Sequence, residues 1–180
     1  MNIFVLDLDV EKCAEYHCDK HLVKMITEHN QILGSIAYTA RGTHRKKDIT
    51  PEFINEHFQG FPRKRDGMPH PYGIGYRNHP CTKWAGESAP NYQWLCELNL
   101  AMCKEYTKRY KRTHAGEAIT KWYQENMPKI TGYGMTPFAQ AMPDDVKNED
   151  AVKAYRDYYQ KYKNKIAVWA HSPKPEWYKV

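Results

Sequence analysis

No apolar run in this sequence approaches the roughly eighteen residues that a helix needs to cross a bilayer, and the mean hydropathy is well below zero. A membrane span is therefore ruled out, and no membrane partner is expected. The N-terminus reads Met1-Asn2-Ile3-Phe4-Val5-Leu6-Asp7, without the positive start and small-residue cleavage site of a secretory signal, which points to the cytoplasm. CxxC pairs are also missing. The five cysteines (Cys13, Cys18, Cys81, Cys96, Cys103) form an odd set that reads as reduced, mostly buried thiols, not as a disulfide framework or a thiolate zinc site. There are no internal repeats and no low-complexity tracts, and 180 residues suit a single domain, 1–180, around one core.

What the chain does have is clustered positive charge. Lysine and arginine outnumber the acids 27 to 21, and the excess gathers at His44-Arg45-Lys46-Lys47, at Arg63-Lys64-Arg65 and between Lys104 and Arg112. Neighbouring cations that neutralise adjacent phosphates release condensed counterions, so clusters favour a polynucleotide more than the net charge alone would. Fourteen tyrosines and five tryptophans, several beside these charges, suit a surface that holds a phosphate backbone and stacks against bases. The same composition describes a basic protein whose tyrosines fill its core.

Periodicity predicts a mainly helical chain. After a short apolar run at 3–6, Asp9 stands where an N-cap belongs and a long helix follows to about residue 40. Its core stripe is Ala14, Cys18, Leu22, Met25, Ile26, His29, Leu33, Ile36 and Ala37. Residues 41–81, dense in glycine, proline and basic side chains, read as a long irregular connection with a short helix at 51–58 capped by Thr50. Further helices are expected from Ser88 to about Tyr110 (Tyr92, Leu95, Leu98, Met102 and Tyr106 inward), at 115–126 and at 149–170, followed by an aromatic tail, 171–180.

On an ideal helix His17, His21, Lys24 and Glu28 fall within about 60° of one another, along the border of the apolar stripe. Partial burial there shifts pKa values, so such a carboxylate can work as an acid or base near neutral pH. Two other readings stand beside this one: an ordinary Lys24–Glu28 ion pair, and a metal held by His17 and His21 with Glu28 or Asp19, although the full HExxH pattern is absent. Later, Arg77-Asn78-His79-Pro80-Cys81-Thr82-Lys83-Trp84 joins basic, amide, imidazole and indole groups just before a helical stretch, whose N–H groups could take a phosphate. A plain turn capped by Asn78 and closed by Pro80 accounts for it equally well.

Asp19-Lys20-His21-Leu22, followed by Glu28 and then Ile32-Leu33-Gly34, resembles the catalytic helix of the small phage pyrimidine-dimer DNA glycosylases called endonuclease V, and of similar bacterial proteins. Pro175-Glu176-Trp177-Tyr178-Lys179 resembles their aromatic C-terminal segment, which lies near the damaged site. Residues 55–78 look like an insertion. The resemblance implies a compact all-α fold, duplex DNA with a damaged or modified pyrimidine as partner, and no cofactor or metal. It also implies glycosidic-bond cleavage followed by strand scission.

In that family the N-terminal α-amine forms a Schiff base with the sugar, and the glutamate matching Glu28 assists proton transfer. An α-amine with its ordinary pKa near 7.8 is roughly a quarter unprotonated at pH 7.4, against about 0.1% for a lysine. The implied catalytic set is Glu28, His21, Lys24 and the terminal amine of Met1 or Asn2. Bulky Asn2 favours retention of Met1. The stretch before the helix is longer than the family's, which points to an amine displaced from the site. Thr27 and Gln31 stand where the family has phosphate-holding arginines. DNA contacts are therefore expected from Lys20, Lys24, Arg45, Lys46, Arg63, Lys64, Arg65, Arg77, Asn78, His79, Lys83 and Lys179, with stacking on Trp84, Trp177 or Tyr178. Two alternatives remain: an enzyme acting on a modified base or a free nucleotide, and a non-catalytic nucleic-acid-binding module.

Overall fold

A computed structural model describes residues 1–180. The elements in chain order are α1 (Val10–Tyr16), α2 (Asp19–Thr39), α3 (Pro51–His57), a two-stranded antiparallel hairpin of β1 (Lys64–Arg65) and β2 (Met68–Pro69), α4 (Pro80–Glu87), α5 (Ala89–Tyr110), α6 (Gly116–Glu125) and α7 (Ala151–Tyr162). The fold is all-α apart from that hairpin. The two long helices, α2 and α5, pack against each other; α4 and α6 touch both, and α1 lies along α5. No helix is long and apolar enough to cross a membrane.

Local chemistry explains most helix starts. Asp9 accepts from Lys12 N–H at 2.9 Å, Thr50 from Phe53 N–H at 3.2 Å, Ser88 from Asn91 N–H at 3.3 Å, and Asp150 from the N–H groups of Val152 and Lys153. Every residue of the stripe on the first helical stretch is buried, as are the five inward positions expected on α5. All of them except His29 belong to one apolar cluster of 34 residues.

Three expectations need correction. The single helix over 9–40 is two helices, because His17 and Cys18 are extended, with ψ of 129° and 158°. Arg109 makes the break favourable: its buried guanidinium donates to the carbonyls of Glu15 (2.8 Å) and His17 (2.9 Å) and pairs with Asp19 (2.9 Å) and Glu105 (2.7 Å). The last helix stops at Tyr162, not at 170, since the chain turns back to cap α2. Val168 O accepts from Asp19 N–H at 2.9 Å, and Trp169 Nε1 donates to Tyr16 O at 3.1 Å. Residues 41–81 are more ordered than an irregular loop. Phe58 and Phe61 are buried, and Asp66-Gly67 forms a tight turn, both residues at positive φ, joining β1 to β2.

Three histidines are buried as neutral rings. Burial pushes His17 and His21 down to about 3 and His29 down to about 4, from an ordinary 6.5. The unfolded chain therefore binds protons first as pH falls. The stability these rings confer is complete above about pH 6.5 and drains away toward pH 3–4. Urea unfolding at pH 7.5 and pH 5.0 should differ by on the order of 2 kcal/mol per histidine, and equal midpoints at the two pH values would show that the rings are not buried neutral. Arg109→Lys supplies a charge but not the fork that reaches four acceptors, so it should cost about 3 kcal/mol in the same assay at pH 7.5. A loss under about 0.5 kcal/mol, the range of an ordinary surface change, would mean that the α1–α2 break has another cause.

Candidate active site

The site starts from a chain segment that folds inward. Ile3, Phe4, Val5 and Leu6 are all buried, although they form no strand. Their polar backbone atoms are met by side chains. Cys13 Sγ accepts from Leu6 N–H and donates to Phe4 O, both at 3.3 Å, and Arg156 Nε donates to Leu6 O at 2.9 Å.

Asn2 sets the register of this segment. Its Nδ2 donates to Ala141 O at 2.9 Å, and its Oδ1 accepts from Ile3 N–H at 2.8 Å and from Cys81 Sγ at 3.3 Å. The Tyr155 hydroxyl lies 2.9 Å from the same Oδ1 and 2.7 Å from Ala139 O. One buried amide thus ties the N-terminus to α4, to α7 and to the strap at 139–141.

Met1 is held by the same packing. Its side chain is 2% exposed, with Sδ 3.9 Å from Thr82 Oγ1 on α4. The residue as a whole is only half-buried, so its solvent-facing part is the amine end. That amine lies 3.3 Å from Glu28 Oε2, and Lys24 Nζ lies 3.0 Å from Glu28 Oε1. The long N-terminal stretch therefore does not displace the amine from the carboxylate, because its extra residues are spent inside the core. Glu28 is 14% exposed while Lys24 is 63% exposed, so the carboxylate is shielded and the lysine faces solvent.

His79 stands close by as the N-cap of α4. Its Nδ1 accepts from Cys81 N–H at 3.2 Å, which leaves the proton on Nε2 in the neutral ring. Burial lowers its pKa, the Met1 ammonium adds to that, and Glu28 opposes it. His79, not Asn78, is the capping residue here. Beside this corner, a cleft of about 400 Å³ runs between α2, α4 and residues 129–131. Thr82, Arg77, Asn78, Lys83 and Lys129 line it; Met1 and Glu28 do not. Gly132 closes its edge so tightly that a Cβ there would come within 1.9 Å of Glu87 O.

Other candidates lie elsewhere or are occupied. The His21 ring stacks on Phe4 at 4.4 Å with Nδ1 2.6 Å from the Tyr159 hydroxyl, so it is a core group and not an acid or base beside the amine. The Asn2 side chain is a buried tether and reacts with nothing. His17 turns Nδ1 to Cys13 O at 2.7 Å, and with the helix broken between them His17 and His21 are no longer paired for one metal ion. Trp84 (4% exposed) packs between Trp94 and Phe138, and Tyr178 (4% exposed) packs against Trp169, so neither offers a face to a base. Trp177 is half-buried against Tyr16 and Tyr159 under the Arg156 guanidinium, and Lys179 N–H bonds Gln160. The tail thus docks on α1 and α7.

Among the cations, Lys20, Lys46, Lys64, Arg65, Arg77 and Lys83 are exposed. Arg45 is engaged by Asp48 through both Nε and an Nη, and Arg63 lies 4.7 Å from the Tyr72 ring while donating to His70 O. Sequence reasoning missed Tyr155, and the part that Cys81 and Thr82, quoted above only within the Arg77–Trp84 stretch, play in holding the N-terminus. No local signal marks them, since Tyr155 lies 153 positions from the Asn2 it meets.

No curated protein and no solved structure matches the chain. A family model described as pyrimidine dimer DNA glycosylase matches residues 1–118, a span that runs from the amine through Glu28, α4 and α5 into the start of α6 and leaves α7 and the tail outside. With the carboxylate, the amine facing it and most of the core inside that match, the chain belongs to the pyrimidine dimer DNA glycosylase family, a family that acts on DNA.

Proposed function

We propose that this protein excises a damaged or modified pyrimidine from duplex DNA, with the Met1 amine as nucleophile and Glu28 as proton carrier. The observation that carries this reading is the 3.3 Å approach of a terminal amine, fixed by a buried side chain, to a shielded carboxylate.

The amine must lose a proton before it can attack, and Glu28 Oε2 is within reach to take it. The nitrogen then bonds to C1′ of the nucleotide as the C1′–N bond to the base breaks, and the departing base takes the electron pair. Loss of a second proton opens the sugar ring: C1′–O4′ breaks, O4′ is protonated, and a C1′=N imine remains. Glu28 next removes a C2′ proton, and the C3′–O3′ bond breaks to release the 3′ phosphate with its electrons. Water finally hydrolyses the imine and regenerates the amine. Lys24, bound to the other oxygen of Glu28, open to solvent and on a flexible stem, suits a phosphate contact better than a nucleophile's role. Extruding the nucleotide costs a few kcal/mol, an amount that phosphate contacts by Lys20, Lys24, Arg77 and Lys83 would help to offset.

Borohydride should trap the chain on abasic duplex DNA, with the adduct on the tryptic peptide Met1–Lys12. An adduct on Lys24, or cleavage without any trapping, would remove the amine mechanism. Glu28→Gln should slow strand cleavage by about 10²-fold or more while urea unfolding shows an intact fold; full cleavage activity in this variant would remove Glu28 as the proton carrier.

Tyr155 acts on the amine only through Asn2. Tyr155→Phe should cost about 1 kcal/mol of stability and lower kcat with little change in KM. An unaltered kcat would show that the tether does not position the nucleophile.

A further inference from the structure

The segment leading into α4 carries a feature that the excision chemistry does not use. Tyr76 has φ of +54°, a left-handed backbone that non-glycine residues rarely adopt, and its side chain is 68% exposed. Most of the other tyrosines are buried or packed against the core. Gly73 and Gly75 stand just before it and would take such a conformation without steric cost, yet the strained position is occupied by an aromatic ring.

The loop is nonetheless rigidly placed. Ser35 Oγ donates to Gly75 O at 2.5 Å and accepts from Gly75 N–H at 3.0 Å, and His79 N–H bonds Tyr76 O at 2.8 Å. Gly34, next to Ser35, has no Cβ and lets Tyr72 press onto α2; a Cβ there would come within 3.1 Å of Tyr72 O. Ser35 lies seven residues beyond Glu28 on α2, hence on the same face and about 10 Å further along the axis. The sequence neighbour of Tyr76, Arg77, is exposed and lines the cleft beside α4 together with the exposed Lys83 and Lys129.

Resting on the excision reading above, we infer that Tyr76 is a wedge that inserts its ring into the base stack of the duplex beside the lesion, while Arg77 and Lys83 hold the flanking phosphates. A strained, pinned and solvent-facing aromatic next to an exposed arginine fits this task because an inserted ring replaces part of the stacking lost when a nucleotide is extruded, and a fixed loop delivers it without further ordering.

The test uses Tyr76→Gly and Tyr76→Phe in the full chain. The substrates are two duplexes with one pyrimidine dimer each, one fully paired and one with the dimer in an unpaired bubble. Glycine accepts the positive φ freely, so Tyr76→Gly should be at least as stable as the unaltered protein. It should cut the paired duplex about tenfold or more slowly and cut the bubble at the normal rate, while Tyr76→Phe behaves normally on both. Equal rates for Tyr76→Gly and the unaltered protein on paired DNA would overturn the proposal, as would a loss of stability, which would make the ring a packing residue. A Tyr76→Phe defect matching that of Tyr76→Gly would also overturn it, because the hydroxyl would then be responsible. Kd values for both duplexes by fluorescence anisotropy separate this inference from the excision reading. If the unaltered protein excises nothing, a paired-duplex Kd weakened by Tyr76→Gly alone still supports insertion, and an unchanged Kd rejects it.

Discussion

Everything at the candidate site depends on where the first two residues stop, and that is set by the Asn2 amide. Burying Ile3 to Leu6 contributes roughly 1.5–3 kcal/mol per large apolar side chain, which outweighs the cost of fixing the backbone but does not choose a register. The amide does. In an extended chain each residue advances about 3.3 Å, so a one-residue slip would roughly double the separation of the amine from Glu28. The buried Asn2 bonds to Ala141, Cys81 and Tyr155 exist in one register only, and an unmet buried amide is costly enough to enforce it.

The other half of the site is α2, and its position depends on a second buried polar group. Arg109 gathers the loose carbonyls at the end of α1 together with Asp19 at the start of α2. Because the chain breaks there, α1 can lie along α5 while α2 runs separately beside α4, the helix that also carries Thr82 and His79. The amine and the carboxylate therefore meet through two independent tethers, one on the N-terminal segment and one at the helix junction. Neither tether includes a reacting atom.

How much of this was legible follows from which forces were local. The stripe from Ala14 to Ala37, the inward face of α5, the Thr50 cap and the helix at 116–125 rest on periodicity and capping, and they could be read directly. The break at His17–Cys18 could not, for no glycine or proline marks it and its cause, Arg109, lies 92 positions away. The end of α7 likewise depends on a distant partner, Asp19. Asp66-Gly67 was a readable hairpin signal hidden inside a segment that looked irregular throughout. Aromatic residues were the least legible part of the site. Composition says how many rings there are, but only packing assigns Trp84 and Tyr178 to the interior and leaves Tyr76 outside. Glu28 was visible as a border residue and through family resemblance, whereas its contact with Met1 required the inward path of residues 3–6.

A carboxylate already engaged by two cations looks at first like an ordinary ion pair, and the Lys24 half of it is one. Lys24 is mostly in solvent, and an exposed i,i+4 pair of this kind is worth a few tenths of a kcal/mol. The Met1 half differs in what holds it. Lys24 reaches Glu28 on a flexible stem and can leave for a phosphate at little cost, but the amine is mounted directly on the backbone of a residue whose side chain is buried and whose neighbour, Asn2, is itself tied down. On the excision reading proposed above, incoming DNA can draw Lys24 away and still find the nitrogen and its proton acceptor in place. Such fixed geometry is what converts proximity into rate. In the proposed mechanism the exchangeable cation and the fixed one divide the labour, one binding the polynucleotide and the other attacking it.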